Sequence, residues 1–275
     1  MSKLTSSGLL KNLFTGCRTV ILGLGLFTGL STAHATTVQI QTVMGDFEVN
    51  LFDKHTPKTV ENFLAYVNAN AYTDSIMHRS VPGFVVQGGG FKYDGQLPPV
   101  EIPRNPAVVN EPLFSNVRGT IAMAKIGNDP NSATNQWFIN LADNSQNLDR
   151  QNGGFTVFGQ VVGNGMAIVD AMAALNRFNL GGAFTEMPLR NFSTDDVVDE
   201  DHLVLVTGIV VLDPSPNTAD GLNPVRRSVG SSSSSASSTP SSGGGSGGGS
   251  MGPGSLLLMF GLLVSLLTNA RRKRV

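Results

Sequence analysis

The chain has 275 residues, 40% of them hydrophobic, enough for one large domain or two small ones with an ordinary buried core. Its formal net charge of −1 hides an uneven spread: seven of the nineteen Lys and Arg lie in the two end segments, so residues 36–270 carry twelve against twenty acids, a balance of −8. With no basic stripe, nucleic-acid binding is excluded as a main function, and the single cysteine, Cys17, excludes a disulfide framework.

Residues 1–35 read as an export signal. Lys3, Lys11 and Arg18 are its only charges, "TVILGLGLFTGL" has the length of an apolar signal core, and "AHA" at 33–35 fits cleavage after Ala35. An uncleaved N-terminal anchor is the alternative. Cys17 precedes the apolar run instead of following it, which argues against lipidation. After cleavage the body has no thiol and suits an oxidising compartment.

The body is read as residues 36–213. "TTVQIQTVMGDFEVNLF" alternates at period two on both sides of "MGD" and predicts a β-hairpin. Val38, Ile40 and Thr42 share one face, and Phe47, Val49 and Leu51 resume the pattern. The period then changes: Val60, Phe63, Leu64 and Val67 fall on one face of a helix, with Thr56 as N-cap and Pro57 at its first position. "MHRSVPGFVVQGGG" follows at 77–90, where the glycines lack the Lys and context of a phosphate loop and predict a tight turn with positive φ. "GTIAMAK", "NQWFINL" and "TVFGQVV" read as short strands. Met166, Val169, Ala173 and Leu175 give a second helix from about Asn164.

Residues 176–202 form a long connection with five acids between Asp195 and Asp201. It reads as a solvated loop; the alternative is a contact with client proteins or calcium, although no EF-hand pattern is present. "LVLVTGIVVL" closes the body as a strand. Many short strands with only two helices predict a mainly β fold, a closed antiparallel β-barrel capped by two α-helices.

Residues 214–250 are rich in Ser and Gly and predict a flexible linker. Residues 251–275 hold an apolar run long enough to cross a bilayer, then "RRKRV", which favours a cytoplasmic C-terminus. The Gly run, short apolar helix and basic end resemble the GlyGly-CTERM sorting tail. That resemblance implies cutting by a rhomboid-type protease and passage to the cell surface or medium. The alternative is a plain tail anchor in the inner membrane, with the body facing the periplasm.

Ordinary catalytic sets are missing from the body. His55, His78 and His202 have no metal-ligand spacing, and there is no GxSxG. Four blocks carry the signal instead: "HRSVPGFVVQGG", "GTIAMAK", "NQWFIN" and "NLDRQNGGFTVFGQV". In order and spacing they resemble the cyclophilin family of peptidyl-prolyl cis–trans isomerases, across residues 38–212, and most of all its exported bacterial branch.

The resemblance implies a catalytic Arg79. Phe84, Val85, Phe138 and Leu148 would surround the proline ring. Gln87 and Gln136 would orient substrate carbonyls or Arg79, and the Ala124 backbone would pair with the substrate chain. Lys125, Asn147 and Phe155 match further substrate-binding positions but depart from the family, where Asn, Trp and His are frequent; Val85 stands where Met is usual. Without a Trp at 147 the rim loses an indole N–H and a large face, so cyclosporin-like cyclic peptides should bind weakly. The implied partners are Pro-containing polypeptides, the export machinery and the sorting protease. No metal, cofactor or nucleic acid is implied, and the chain should be a monomer. The alternative is a non-catalytic module of the same fold that holds Pro-containing chains.

Elementary chemistry agrees with this pattern. Rotation about a peptide bond faces a barrier of roughly 18–20 kcal/mol, yet X–Pro cis and trans forms differ by only about 0.5–1 kcal/mol. Such a reaction needs no nucleophile or metal, only tighter binding of the twisted amide than of the planar one. A guanidinium that donates to the localised nitrogen lone pair does this, and Arg keeps its charge at any workable pH.

Overall fold

The structure, a computed structural model, describes residues 36–214, Ala219 and 222–228. The predicted export signal, the Gly run and the sorting tail lie outside the described residues.

β1 (Thr37–Thr42) and β2 (Phe47–Leu51) form the predicted hairpin, with Val38 opposite Val49 and Ile40 opposite Phe47. All six apolar and Thr positions expected on the inner face are buried. The turn closes where the Thr42 hydroxyl donates to the Gly45 carbonyl at 2.6 Å.

α1 (Pro57–Asn68) follows and buries Val60, Phe63, Tyr66 and Val67, with Leu64 half-buried. The Phe63 ring meets Phe158 at 5.1 Å and Tyr72 at 5.6 Å, a burial that stabilises by about 2–3 kcal/mol. Its cap differs from expectation. The Thr56 hydroxyl turns back to the Phe52 carbonyl at 3.3 Å. Glu111, more than fifty residues on, accepts the N–H groups of Lys58 (3.3 Å) and Thr59 (2.9 Å). A carboxylate there meets both the orphan donors and the positive end of the helix dipole.

β3 (Ser75–Ile76), β4 (Arg79–Val81), β5 (Val85–Gly88), β6 (Phe91–Lys92), β7 (Val100–Glu101), β8 (Thr120–Met123) and β9 (Trp137–Asn140) come next. After them lie α2 (Ser145–Leu148), β10 (Val157–Val162), α3 (Gly165–Ala173), β11 (Arg177–Phe178), β12 (Met187–Pro188) and β13 (Leu205–Asp213). The large sheet is antiparallel in the order β4-β5-β9-β8-β10-β2-β1-β13-β3-β6-β7. Residues 75–81 bring it back to its start: the Met77 N–H donates to Val204 on one side, and the His78 N–H to Gln87 on the other. One extended run thus serves both β13 and β5, and the sheet curls into the expected barrel.

Met123, Trp137 and Ile139 join Val38, Ile40 and Val49 in the main core. The expected helices are α1 and α3; α3 buries Val169 and also Met172, which the expected apolar face had left out. The single turn α2 carries too few residues to show a period.

Two segments depart from the sequence reading. Residues 176–202 are a solvated loop only in part: Asp195, Asp196, Asp199, Glu200 and Asp201 are all exposed, while other parts of the segment are tied to the barrel. β11 pairs with β12, and Phe178, Phe184, Leu189 and Phe192 join Ile76, Leu203 and Leu205 in a cluster of their own. The acids stay outside because the apolar residues of the same segment supply its contacts; among the described residues no group of three or more His, Cys, Asp or Glu could hold a metal. The chain after Pro214 also returns to the body. The Ser115 N–H donates to Val225 at 2.8 Å and the Arg227 N–H to Leu113 at 3.0 Å, while Ala219 and Leu222 cover a second apolar cluster. Residues 222–228 are therefore a strap on the barrel, not flexible linker, because Leu222 and the two arginines give them something to bind. Among the described residues no helix is long and apolar enough to cross a membrane.

Candidate active site

One groove collects nearly all the residues singled out by motif. Arg79, Phe84, Val85, Gln87, Ala124, Lys125, Gln136, Phe138, Leu148 and Phe155 line it. Asn147 does not. It lies on α2, half-buried, and its side-chain oxygen accepts from the Gln151 amide.

The polar part of the groove is set by strand register. Arg79 on β4 stands opposite Gln87 on β5, and Gln87 stands opposite Phe138 on β9. Arg79 Nη1 donates to Gln87 Oε1 at 3.4 Å, and Gln87 Nε2 donates to Gln136 Oε1 at 2.8 Å. The Gln136 amide fits because position 90 is glycine: a Cβ there would lie 2.7 Å from it. Arg79 is 5% exposed. Burial pushes its pKa down, and the charge of Glu186 partly opposes this. An amide partner, not a carboxylate, holds Arg79, so most of its fork of donors remains for a ligand.

His78 lies beneath this row, 1% exposed, with its ring edge-on to Phe91 at 5.0 Å. Burial is the main cause that lowers its pKa to about 4, and the Arg79 charge adds to it, so His78 is neutral at pH 7. It is buried packing, not a proton donor to the groove.

The apolar part is a slot. Val85, Phe138, Leu148 and Phe155 belong to one buried cluster, with Phe84 and Ala124 half-buried against it. The Phe138 and Phe155 rings meet edge to face at 5.9 Å. The Ala124 N–H is committed to the Gln136 carbonyl at 2.9 Å, so an extended ligand would have to meet the Ala124 carbonyl.

Sequence reasoning missed Phe91, Glu101, Ile102, Arg104, Thr134, Asn135 and Ala183, which also line the groove. Thr134 and Asn135 adjoin Gln136 and were within reach of the motif. Glu101 ends a two-residue strand with no period, Arg104 lies three residues beyond it, and Ala183 arrives from the segment 176–202, whose placement no local pattern announces.

A buried arginine beside an apolar slot suits an amide twisted about a proline. A family model described as cyclophilin type peptidyl-prolyl cis-trans isomerase matches residues 37–193. The chain belongs to this family. It is 39% identical over 155 residues to a peptidyl-prolyl cis-trans isomerase of Acinetobacter baylyi, covering 56% of this chain and 80% of that one. It is 40% identical over 166 residues to isomerase A of Dickeya dadantii (58% and 84%). With isomerase B of Escherichia coli the identity is 41% over 137 residues (48% and 81%).

Proposed function

We propose that this peptidyl-prolyl cis–trans isomerase serves the folding of exported proteins, outside the cytoplasmic membrane. The observation that carries the chemistry is the adjacency of Arg79, held by Gln87, to the slot of Val85, Phe138, Leu148 and Phe155. The slot takes the proline ring. Arg79 then stands where twisting of the X–Pro amide localises the nitrogen lone pair, and its donors stabilise that state more than the planar one. Gln87 and Gln136 fix the direction of the guanidinium before the substrate arrives, so no reorganisation is needed during the turn of the bond.

The exported role is supported by the signal-like residues 1–35, by a body without cysteine, and by the GlyGly-CTERM-like end after a Gly run. In this reading the protein belongs to the exported bacterial branch. The signal peptide is removed, the tail is processed by a rhomboid-type protease, and the body reaches the cell surface or medium.

Fractionation of cells that make the full chain, with sequencing of the product's N-terminus, tests the location. A product that begins at Thr36 and leaves the cytoplasm is the expected result; an uncut chain in the cytoplasm overturns it. For the activity, the full chain should speed NMR-detected exchange of a blocked Ala-Pro peptide well above the uncatalysed rate of tens to hundreds of seconds.

A further inference from the structure

The turn between α2 and β10 runs through positive φ. Asn152, Gly153 and Gly154 take φ of 48°, 75° and 84° in succession. Glycine takes positive φ at no steric cost and Asn tolerates it, so this backbone is allowed but leaves the turn free to adopt other conformations. Side chains from other segments fix it: Asn110 Nδ2 donates to the carbonyls of Gly154 (2.8 Å) and Gly153 (3.4 Å), and two cations add to this grip. Lys125 Nζ donates to the carbonyls of Asn152 (2.8 Å) and Gly154 (2.7 Å). Arg227 Nη1 donates to the Gly153 carbonyl at 3.1 Å. Lys125 comes from the groove and Arg227 from the strap, so the turn is gripped from both sides.

The residue after this turn is Phe155, a wall of the proline slot. Lys125 Nζ also sits 4.8 Å from the centroid of its ring. The strap presses close: a Cβ at Gly154 would lie 2.8 Å from Arg227 Nη1. We propose that Lys125 and Arg227 are positioning residues, which clamp the carbonyls of residues 152–154 and so set Phe155 against Phe138 in the slot. The inference rests on the isomerase reading and adds to it that the chain entering the C-terminal linker helps to shape the groove.

Charge is what makes the clamp strong, since a charge-assisted hydrogen bond is roughly twice as strong as a neutral one. Burial and the neighbouring Arg227 lower the Lys125 pKa to about 8, and Asp129 opposes them in part. The other charged groups around it are Arg79, Glu101 and Arg104 of the same groove. The clamp is complete with Lys125 protonated, below pH 8, and loosens as pH rises through that value. Removing Arg227 takes away a repulsion on Lys125 and moves the break to higher pH.

The test is exchange of a blocked Ala-Pro peptide, followed by NMR from pH 6.5 to 9.5 with the full chain. In the wild type, the acceleration should fall several-fold as pH rises through about 8. Lys125→Met should be several-fold slower at pH 7 and flat across the range. Lys125→Arg, with a charge that does not titrate, should keep the acceleration and lose the break. Arg227→Met should be slower and break at higher pH; as a change in the strap it carries the test if position 125 does not tolerate substitution. A wild-type acceleration that is flat with pH, with Arg227→Met unchanged, overturns the clamp. No acceleration by the folded wild type would sink the isomerase reading itself, and the clamp with it.

Discussion

The two parts of the groove are built differently. The polar row of Arg79, Gln87 and Gln136 rests on β4, β5 and β9, where ladder register alone sets which side chains face each other. The slot takes one wall, Phe155, from the end of a turn of left-handed residues held by cations from two other segments. A strand ladder spreads its support over many backbone hydrogen bonds, so a single surface change barely moves it. A turn held by a few side-chain contacts, from Asn110, Lys125 and Arg227, loosens when one cation goes. The electrostatic chemistry thus belongs to the rigid half, and chain-specific tuning to the other.

The largest expected effect breaks the rigid half. Arg79→Ala removes the donor to the twisted amide and leaves the slot in place. Loss of one preorganised donor costs about 10²–10³ in turnover. The expected outcome is a drop of that size in catalysed Ala-Pro exchange, with peptide affinity changed far less. A variant that keeps near-wild-type turnover would show that the slot alone does the work.

A second expectation concerns what lies under that half. His78 has a folded pKa of about 4 against an ordinary value of 6.5, so the unfolded chain binds the extra proton between those values. Stability is therefore fully present above pH 6.5 and is lost as pH falls toward 4, by about 3 kcal/mol in all. Urea midpoints of wild type and His78→Gln at pH 7 and pH 4.5 isolate this share, because the carboxylates titrate alike in both. The wild type should lose distinctly more stability; equal losses would mean that His78 is not held neutral.

This division also explains what the sequence made legible. Period-two alternation marked β1 and β2, and period 3.6 marked α1 and α3, because each buries one face against a common core. The groove was legible where residues lie on strands or next to them, as Arg79, Gln87, Gln136 and Phe138 do. It was not legible where distant segments meet. Glu111 caps α1 from across the chain, Ala183 reaches the groove from the segment 176–202, and Arg227 grips a turn more than seventy residues away. Asn147 shows the converse: motif matching carries a position into the groove, but the local turn of α2 points its amide at Gln151. Composition misled in the strap, where Ser and Gly nearby concealed the contacts of Leu222 and Arg227.

The smallest expected effect sharpens the comparison within the rigid half. Gly83 and Gly89 both take positive φ, 65° and 78°, so each pays the left-handed strain of about 1 kcal/mol on substitution by Ala. Their surroundings differ. A Cβ at Gly83 meets nothing within 4 Å, whereas one at Gly89 would lie 2.6 Å from the Asn135 carbonyl and 2.7 Å from the Trp137 indole nitrogen. Neither neighbour can yield: Asn135 is backbone beside β9, and Trp137 is fully buried. Gly89→Ala should therefore cost about 2 kcal/mol more than Gly83→Ala in urea unfolding, the usual penalty for overpacking. Equal costs would mean that β5 and β9 have slack at the bend into β6. In that case the register that aims Arg79 and Gln87 would owe its rigidity to something other than close packing at the glycines.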